Sequence, residues 1–237
     1  MRFTANCAAP YIIMNKTPFK ICGLMRPEDV RACCRLGAAV VGFVTEYPLA
    51  VPWNLTEAQC GALLPLVSPP VKSCIVTGGD AGKIIAMAER LRPSFVQLHY
   101  METLEDTGII AKALKPSGIG IIRSVPVSAR ARLELFGSEK ADECVGMLCS
   151  AGVAAILADS RGPENAAEKG RMLDPGFFLS IKRASNRPVM IGGGITPMNC
   201  RYIVETLHPD MIDIMTGVET APGVKSEKLI AEVADCL

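Results

Sequence analysis

Eight times along this chain, a short run rich in β-branched and apolar residues gives way to a longer stretch with helical spacing. The runs are 19–22 (FKIC), 40–44 (VVGFV), 71–77 (VKSCIVT), 95–99 (FVQLH), 118–125 (GIGIIRSV), 154–160 (AAILADS), 188–194 (PVMIGGG) and 211–217 (MIDIMTG). Near-continuous apolar character marks strands buried on both faces, and the intervening helices supply the crossovers that parallel pairing needs. Helix starts are written locally. Pro27-Glu28-Asp29 places a proline and two acids in a first turn, and Thr56-Glu57-Ala58-Gln59 is a capping-box pattern. Thr196-Pro197 predicts a cap for a helix ending near Leu207, and further helices are expected over 81–91, 103–114, 127–149 and the last residues. The stretch after the sixth run reads as a weaker helix or a loop. Eight such units predict an α/β fold, a single closed (β/α)8 TIM barrel over 19–237, preceded by an N-terminal extension, residues 1–18. An open doubly wound sheet would want a GxGxxG fingerprint after the first strand, and CGLMRP does not supply it. A weak echo between GAAVVGFV (37–44) and GVAAILAD (152–159), half a barrel apart, agrees with closure.

Composition narrows the function classes. The net charge is +1 with no block of like charge, so no basic face is offered to nucleic acid or an anionic membrane. No apolar run approaches the roughly 20 residues of a membrane span. The first segment is broken by Pro10 and makes a poor signal peptide. Ten cysteines at scattered spacings, with no CxxC pair and only two histidines, point away from a metal cluster. Without a secretory signal, so many thiols imply a reducing compartment, and the expected location is cytoplasmic. Tyr11-Ile12-Ile13-Met14 in the extension either cover the barrel bottom or join a partner chain, leaving monomer and homodimer both open.

In such barrels the chemistry sits where strands meet the loops that follow them. That rule selects Cys22, Thr45, Thr77, His99, Arg123, Asp159, Gly193 and Gly217. Gly192-Gly193-Gly194 and Thr216-Gly217 end strands seven and eight, where backbone N–H groups can hold a phosphate; either turn alone is equally a tight connection. Cys22 and Asp159 face each other as a thiol base and a carboxylic acid, or else are a buried small hydrophobe and a turn residue. His99 binds a ligand or completes a core hydrogen bond. Position parity sets Arg123 near the barrel interior, where a charge needs a partner such as a phosphate or Asp159.

Six motifs in order, KICGLMRPED (20–29), GAAVVGFV (37–44), VQLH (96–99), ILAD (156–159), GGGITPMN (192–199) and DIMTGVETAPGVK (213–225), resemble the phosphoribosylanthranilate isomerase family of tryptophan biosynthesis. The resemblance implies an Amadori rearrangement of a small phosphorylated sugar without metal or cofactor. It implies Cys22 as general base, Asp159 as general acid, and Asp213 near the sugar hydroxyls. It gives His99 to the substrate, and Gly193, Gly194, Thr216 and Gly217 to its phosphate; Arg123, from its position, is also expected to bind the substrate. The loop after strand two departs from the family pattern. It reads TEYPLAVPWNLT, with Val51 near the place of an arginine that meets the anthranilate carboxylate. Tyr100 replaces a glycine and is expected to crowd the site, and the loop around 166–170 is about one residue longer. Arg26, Arg123 and Lys169 are the candidate substitutes for the missing charge. Two other readings stand beside this one: an isomerase of the same ancestry acting on a different phosphorylated aminosugar, and a non-catalytic barrel that binds a phosphorylated ligand.

Overall fold

The computed structural model describes residues 16–168 and 170–237; the expectations for Tyr11–Met14 and Lys169 fall outside the described residues. Eight parallel strands close into one barrel in chain order. They are β1 (Phe19–Ile21), β2 (Val40–Val44), β3 (Lys72–Thr77), β4 (Phe95–Leu98), β5 (Gly120–Val125), β6 (Ala155–Ala158), β7 (Val189–Gly192) and β8 (Met211–Ile214). Closure is made by β8 against β1, with Lys20 opposite Asp213 and Ile21 opposite Ile214.

The helices form the outer ring: α1 (Pro27–Arg35), α2 (Glu57–Leu63), α3 (Ala81–Leu91), α4 (Leu104–Leu114), α5 (Ala129–Phe136), α6 (Ala141–Ser150), α7 (Pro175–Ala184), α8 (Cys200–Leu207) and α9 (Glu227–Cys236). The Thr56 capping box opens α2 as expected. The stretch predicted as one helix over 127–149 is two, because Gly137 adopts a φ of 82° after Phe136 and turns the chain. The segment after β6 holds a full helix, α7, capped by Asp174, whose carboxylate accepts the Phe177 N–H at 2.8 Å. Helix α8 begins at Cys200 rather than at Thr196. Asn199 accepts the Thr196 N–H at 2.8 Å and donates to the Gly194 carbonyl at 2.9 Å, so TPMN folds as a turn first. A hairpin of β9 (Glu219–Ala221) and β10 (Val224–Lys225), not expected from the sequence, follows β8.

Alternate residues of each strand face opposite ways. Ile21, Val41, Phe43, Ile75, Val96 and Ile121 pack outward into the helices. Val40, Cys74, Ile122, Ala155, Leu157 and Met190 fill the barrel. This period of two corrects the expectation for Arg123. Ile122 is an interior residue while Ile121 and Val125 lie in the outer layer, so Arg123 points outward with them. It is fully buried there. Its guanidinium donates to the carbonyls of Leu98 at 2.9 Å and Glu102 at 2.6 Å, lies 5.0 Å from the centre of the Phe136 ring, and meets the Glu102 carboxylate at 3.9 Å. That carboxylate also accepts the N–H groups of Gly79 at 2.9 Å and Tyr100 at 3.1 Å. Arg123 therefore latches together the loops after β3 and β4 from behind and does not face the mouth. Arg123→Met leaves the buried Glu102 charge without its cation. It is expected to cost about 3–5 kcal/mol in urea unfolding, with phosphate affinity of the folded protein unchanged. A large loss of phosphate affinity would return Arg123 to the ligand site.

Candidate active site

Two charges lie inside the barrel. The Lys20 side chain is 0% exposed and that of Asp213 6%, and both carboxylate oxygens accept from the ammonium at 2.9 Å. Burial opposes the ammonium, but Asp213, with help from Cys22 and Cys74, outweighs it and holds Lys20 above the ordinary lysine range. Gly42 makes the room: a Cβ there would stand 2.9 Å from Cys22 Sγ, 3.1 Å from Lys20 Cε and 3.2 Å from Lys20 Nζ. Cys22 is thus two residues along the same face as Lys20, with the ammonium beside its sulfur. Its N–H donates to Ile214 O at 2.8 Å, continuing the ladder one residue past β1.

Cys22 opens into a cavity of about 460 Å³ at the mouth of the barrel. One wall is apolar: Val44, Tyr47, Val51, Trp53, Val76 and Met215. The divergent loop after β2 builds much of it. The Tyr47 hydroxyl donates to His99 O at 2.8 Å, and the Asn54 side chain pairs with both backbone groups of Tyr47 at 2.9 Å. Trp53 Nε1 donates at 2.9 Å to Glu219, which also accepts from buried Lys225 at 2.7 Å. The expectation that Tyr100 crowds the site is corrected. Tyr100 does not line the cavity; it packs edge-on behind Tyr47, with ring centres 5.9 Å apart, in space left by Gly78.

The other wall is polar. His99 borders the cavity, but both ring nitrogens are engaged. Nε2 donates to Arg161 O at 3.1 Å and Nδ1 accepts from Gln97 Nε2 at 3.1 Å. Burial pushes the His99 pKa down, against the nearby Asp159 charge, so the imidazole is the neutral Nε2–H form and holds the Arg161 backbone. Gln97 Oε1, also at the cavity, has no hydrogen-bond partner among the described residues.

Asp159 follows β6 directly and is 3% exposed. Its Oδ1 accepts the Arg161 N–H at 2.9 Å, and its Oδ2 lies 3.7 Å from the Arg161 guanidinium. A Cβ at Gly192 would stand 3.0 Å from Oδ2, so that glycine clears space for the carboxylate. Asp159 does not itself line the cavity; Arg161, which does, lies beside it.

A second cleft of about 220 Å³ adjoins the first, with Arg161, Asp213 and Met215 common to both. Gly193 and Gly194 form one side with φ of 93° and 64°, and Thr216 and Gly217 form the other. A side chain at Gly217 would collide with the Ile195 carbonyl, so the two turns approach as closely as they do only with glycine there. Gly170, from the loop after β6, closes the cleft against Gly193 and Gly194.

A family model described as N-(5'-phosphoribosyl)anthranilate isomerase matches residues 19–235, from the first barrel strand into the last helix. The chain belongs to the N-(5'-phosphoribosyl)anthranilate isomerase family. It is therefore an isomerase of tryptophan biosynthesis. It is 30% identical to the N-(5'-phosphoribosyl)anthranilate isomerase of Methanopyrus kandleri, covering 90% of this chain and 94% of that one. It is 31% identical to that of Acinetobacter calcoaceticus, covering 91% and 93%. The solved phosphoribosyl anthranilate isomerase of Thermotoga maritima is 26% identical, with a TM-score of 0.75 over 94% of this chain and all of that one. Another solved isomerase, in complex with reduced 1-(o-carboxyphenylamino)-1-deoxyribulose 5-phosphate, has the same fold, with a TM-score of 0.73 at 24% identity over 93% and 97% of the two chains.

Within this family member, Cys22, Asp213 and His99 gather at the main cavity, and Gly193, Gly194, Thr216 and Gly217 at the cleft beside it. Arg123 joins neither. Lys20 and Arg161 were missed from the sequence. Lys20 was legible from its i, i+2 relation to Cys22 on one strand, whereas Arg161 reads locally as a turn residue. Among the described residues no three His, Cys, Asp or Glu side chains converge as a metal site, and no helix is long and apolar enough to cross a membrane. The lowered pKa of His99 gives a sign to acid stability. The unfolded chain takes up a proton below about pH 6.5 that the folded imidazole resists. Stability should therefore fall as pH drops below that value. His99→Gln should flatten this part of the slope in urea titrations, and an unchanged slope would mean that His99 protonates freely in the fold.

Proposed function

We propose that this chain carries out the Amadori rearrangement of N-(5-phosphoribosyl)anthranilate to 1-(2-carboxyphenylamino)-1-deoxyribulose 5-phosphate, with Cys22 as general base and Asp159 as general acid. The observation that carries this reading is the juxtaposition of the Cys22 thiol and the Lys20 ammonium at an apolar cavity beside a glycine-lined cleft. Cys22 lines the cavity, so a C2 proton of a bound substrate can reach its sulfur.

The steps balance without a cofactor. Asp159 gives a proton to the furanose ring oxygen, the bond from C1 to that oxygen breaks, and the nitrogen lone pair forms a protonated C1=N bond. Cys22 takes the proton from C2, and the released electron pair makes a C1=C2 double bond while neutralising the nitrogen. The resulting enol tautomerises to the C2 ketone as a proton returns to C1. Asp213, held by Lys20 and lining both cavities, serves the ribose hydroxyls in this reading. Gly193, Gly194, Thr216 and Gly217 take the phosphate through backbone N–H groups and the threonine hydroxyl.

The apolar wall favours an aryl-bearing substrate over another phosphorylated aminosugar, since a bare sugar would leave Val44, Val51 and Trp53 facing polar groups. We place the protein in the cytoplasm, in keeping with its many free thiols. A spectroscopic assay with freshly prepared phosphoribosylanthranilate tests the function. Cys22→Ser and Asp159→Asn should each lower kcat by about a hundredfold or more, the usual weight of positioned proton transfer. Absence of turnover by the parent rejects the activity, and undiminished turnover by both variants rejects the mechanism.

A further inference from the structure

The carboxylate of an aryl substrate needs a cation; Arg26 and Arg123, two of the sequence candidates, do not line the cavity, and the third, Lys169, lies outside the described residues. Arg26 is half-buried and pairs with Glu28, and Arg123 lies behind the barrel wall. Arg161 is the only lysine or arginine among the described residues that line the cavity. Burial works against its charge, but Asp159, with smaller contributions from Cys22, Asp213 and Glu219, keeps it protonated. Its hydrogen bonds are incompletely used. One guanidinium nitrogen rests on the Met215 thioether at 3.3 Å, a weak acceptor, and buried Nε has no partner among the described residues. The backbone of the same residue is fixed from both sides, by Asp159 at its N–H and by His99 at its carbonyl. The backbone is thus held at Arg161, while the head group has donors left to spend.

Resting on the function proposed above, we infer that Arg161 is the specificity residue for the aryl carboxylate. The guanidinium leaves the thioether and Asp159 to form a charge-assisted pair with the carboxylate, while the ring lies on Val51 and Trp53. Two observations support this assignment over the phosphate. The cleft has glycine backbone to receive a phosphate, whereas among the described residues the apolar cavity offers no other cation to a carboxylate, which would otherwise be buried unpaired. Arg161 also lies beside Asp159 at the cavity wall, so an anion on the aryl side draws the guanidinium away from the acid. The missing arginine of the loop after β2 is replaced from the opposite side of the mouth.

Trp53 is the single tryptophan and lines the cavity, so its fluorescence reports binding directly. Reduced 1-(2-carboxyphenylamino)-1-deoxyribulose 5-phosphate and the same compound without the carboxyl group are titrated against the parent, Arg161→Gln and Arg161→Lys. The parent should prefer the carboxylate by about a hundredfold, as a charge-assisted pair in a desolvated site warrants. Arg161→Gln should bring the two ligands within about threefold by weakening only the first, and Arg161→Lys should recover part of the preference. Equal weakening of both ligands gives Arg161 to the phosphate and overturns the inference, as does a preference that survives in Arg161→Gln. Either result leaves the turnover assay, and with it the proposed function, standing. A parent that binds neither ligand overturns both.

Discussion

A buried ion pair between Lys20 and Asp213 organises the inside of this barrel. Interior positions of small barrels are ordinarily filled by apolar side chains, and the lower layer here follows that rule with Val40, Cys74, Ile122, Leu157 and Met190. Above it, one cation and one anion from the two strands that close the barrel satisfy each other with two 2.9 Å contacts. Such a pair returns little net stability compared with a hydrophobic filling, because both ions are desolvated. Its value lies in placement. It holds a positive charge beside the Cys22 sulfur and a carboxylate at the junction of the two cavities, and it needs the missing side chain of Gly42 to fit.

The rest of the mouth divides along chemical lines. Apolar surface from the loop after β2 meets polar groups from β4, β6 and β8, and the glycine turns after β7 and β8 leave backbone exposed for an anion. Rigid supports stand behind each part. Glu219 joins Trp53 to Lys225, Tyr47 is tied to the end of β4, and Arg123 with Glu102 fixes the loops after β3 and β4. Because the neutral His99 is spent on Arg161 and Gln97, the polar wall can rearrange at the Arg161 head group while its backbone stays in place.

Much of the scaffold was legible residue by residue. The eight strands lie within three residues of the apolar runs, since strands covered by helices on one side and a packed interior on the other must be apolar throughout. The Thr56 box and the Asp-Glu turn of α1 also read correctly, because capping is local. The break at Gly137 and the delayed start of α8 were less legible. Both depend on how a turn spends its backbone hydrogen bonds, which helical periodicity does not reveal.

The sequence by itself determined the barrel, the position of Cys22 and Asp159 at strand ends, and the two glycine turns. Each follows from local pattern plus the rule that such barrels expose strand C-termini at one mouth. Only the tertiary structure decided which charged residues face that mouth. Arg123 and Arg161 are both arginines at or just past a strand end, yet one turns outward onto Phe136 and the other inward over Asp159. The physical reason is strand parity and desolvation. A guanidinium must find acceptors wherever the pleat directs it, and those acceptors come from segments distant in the chain: Leu98 and Glu102 for Arg123, with Met215, beyond its neighbour Asp159, at the head group of Arg161.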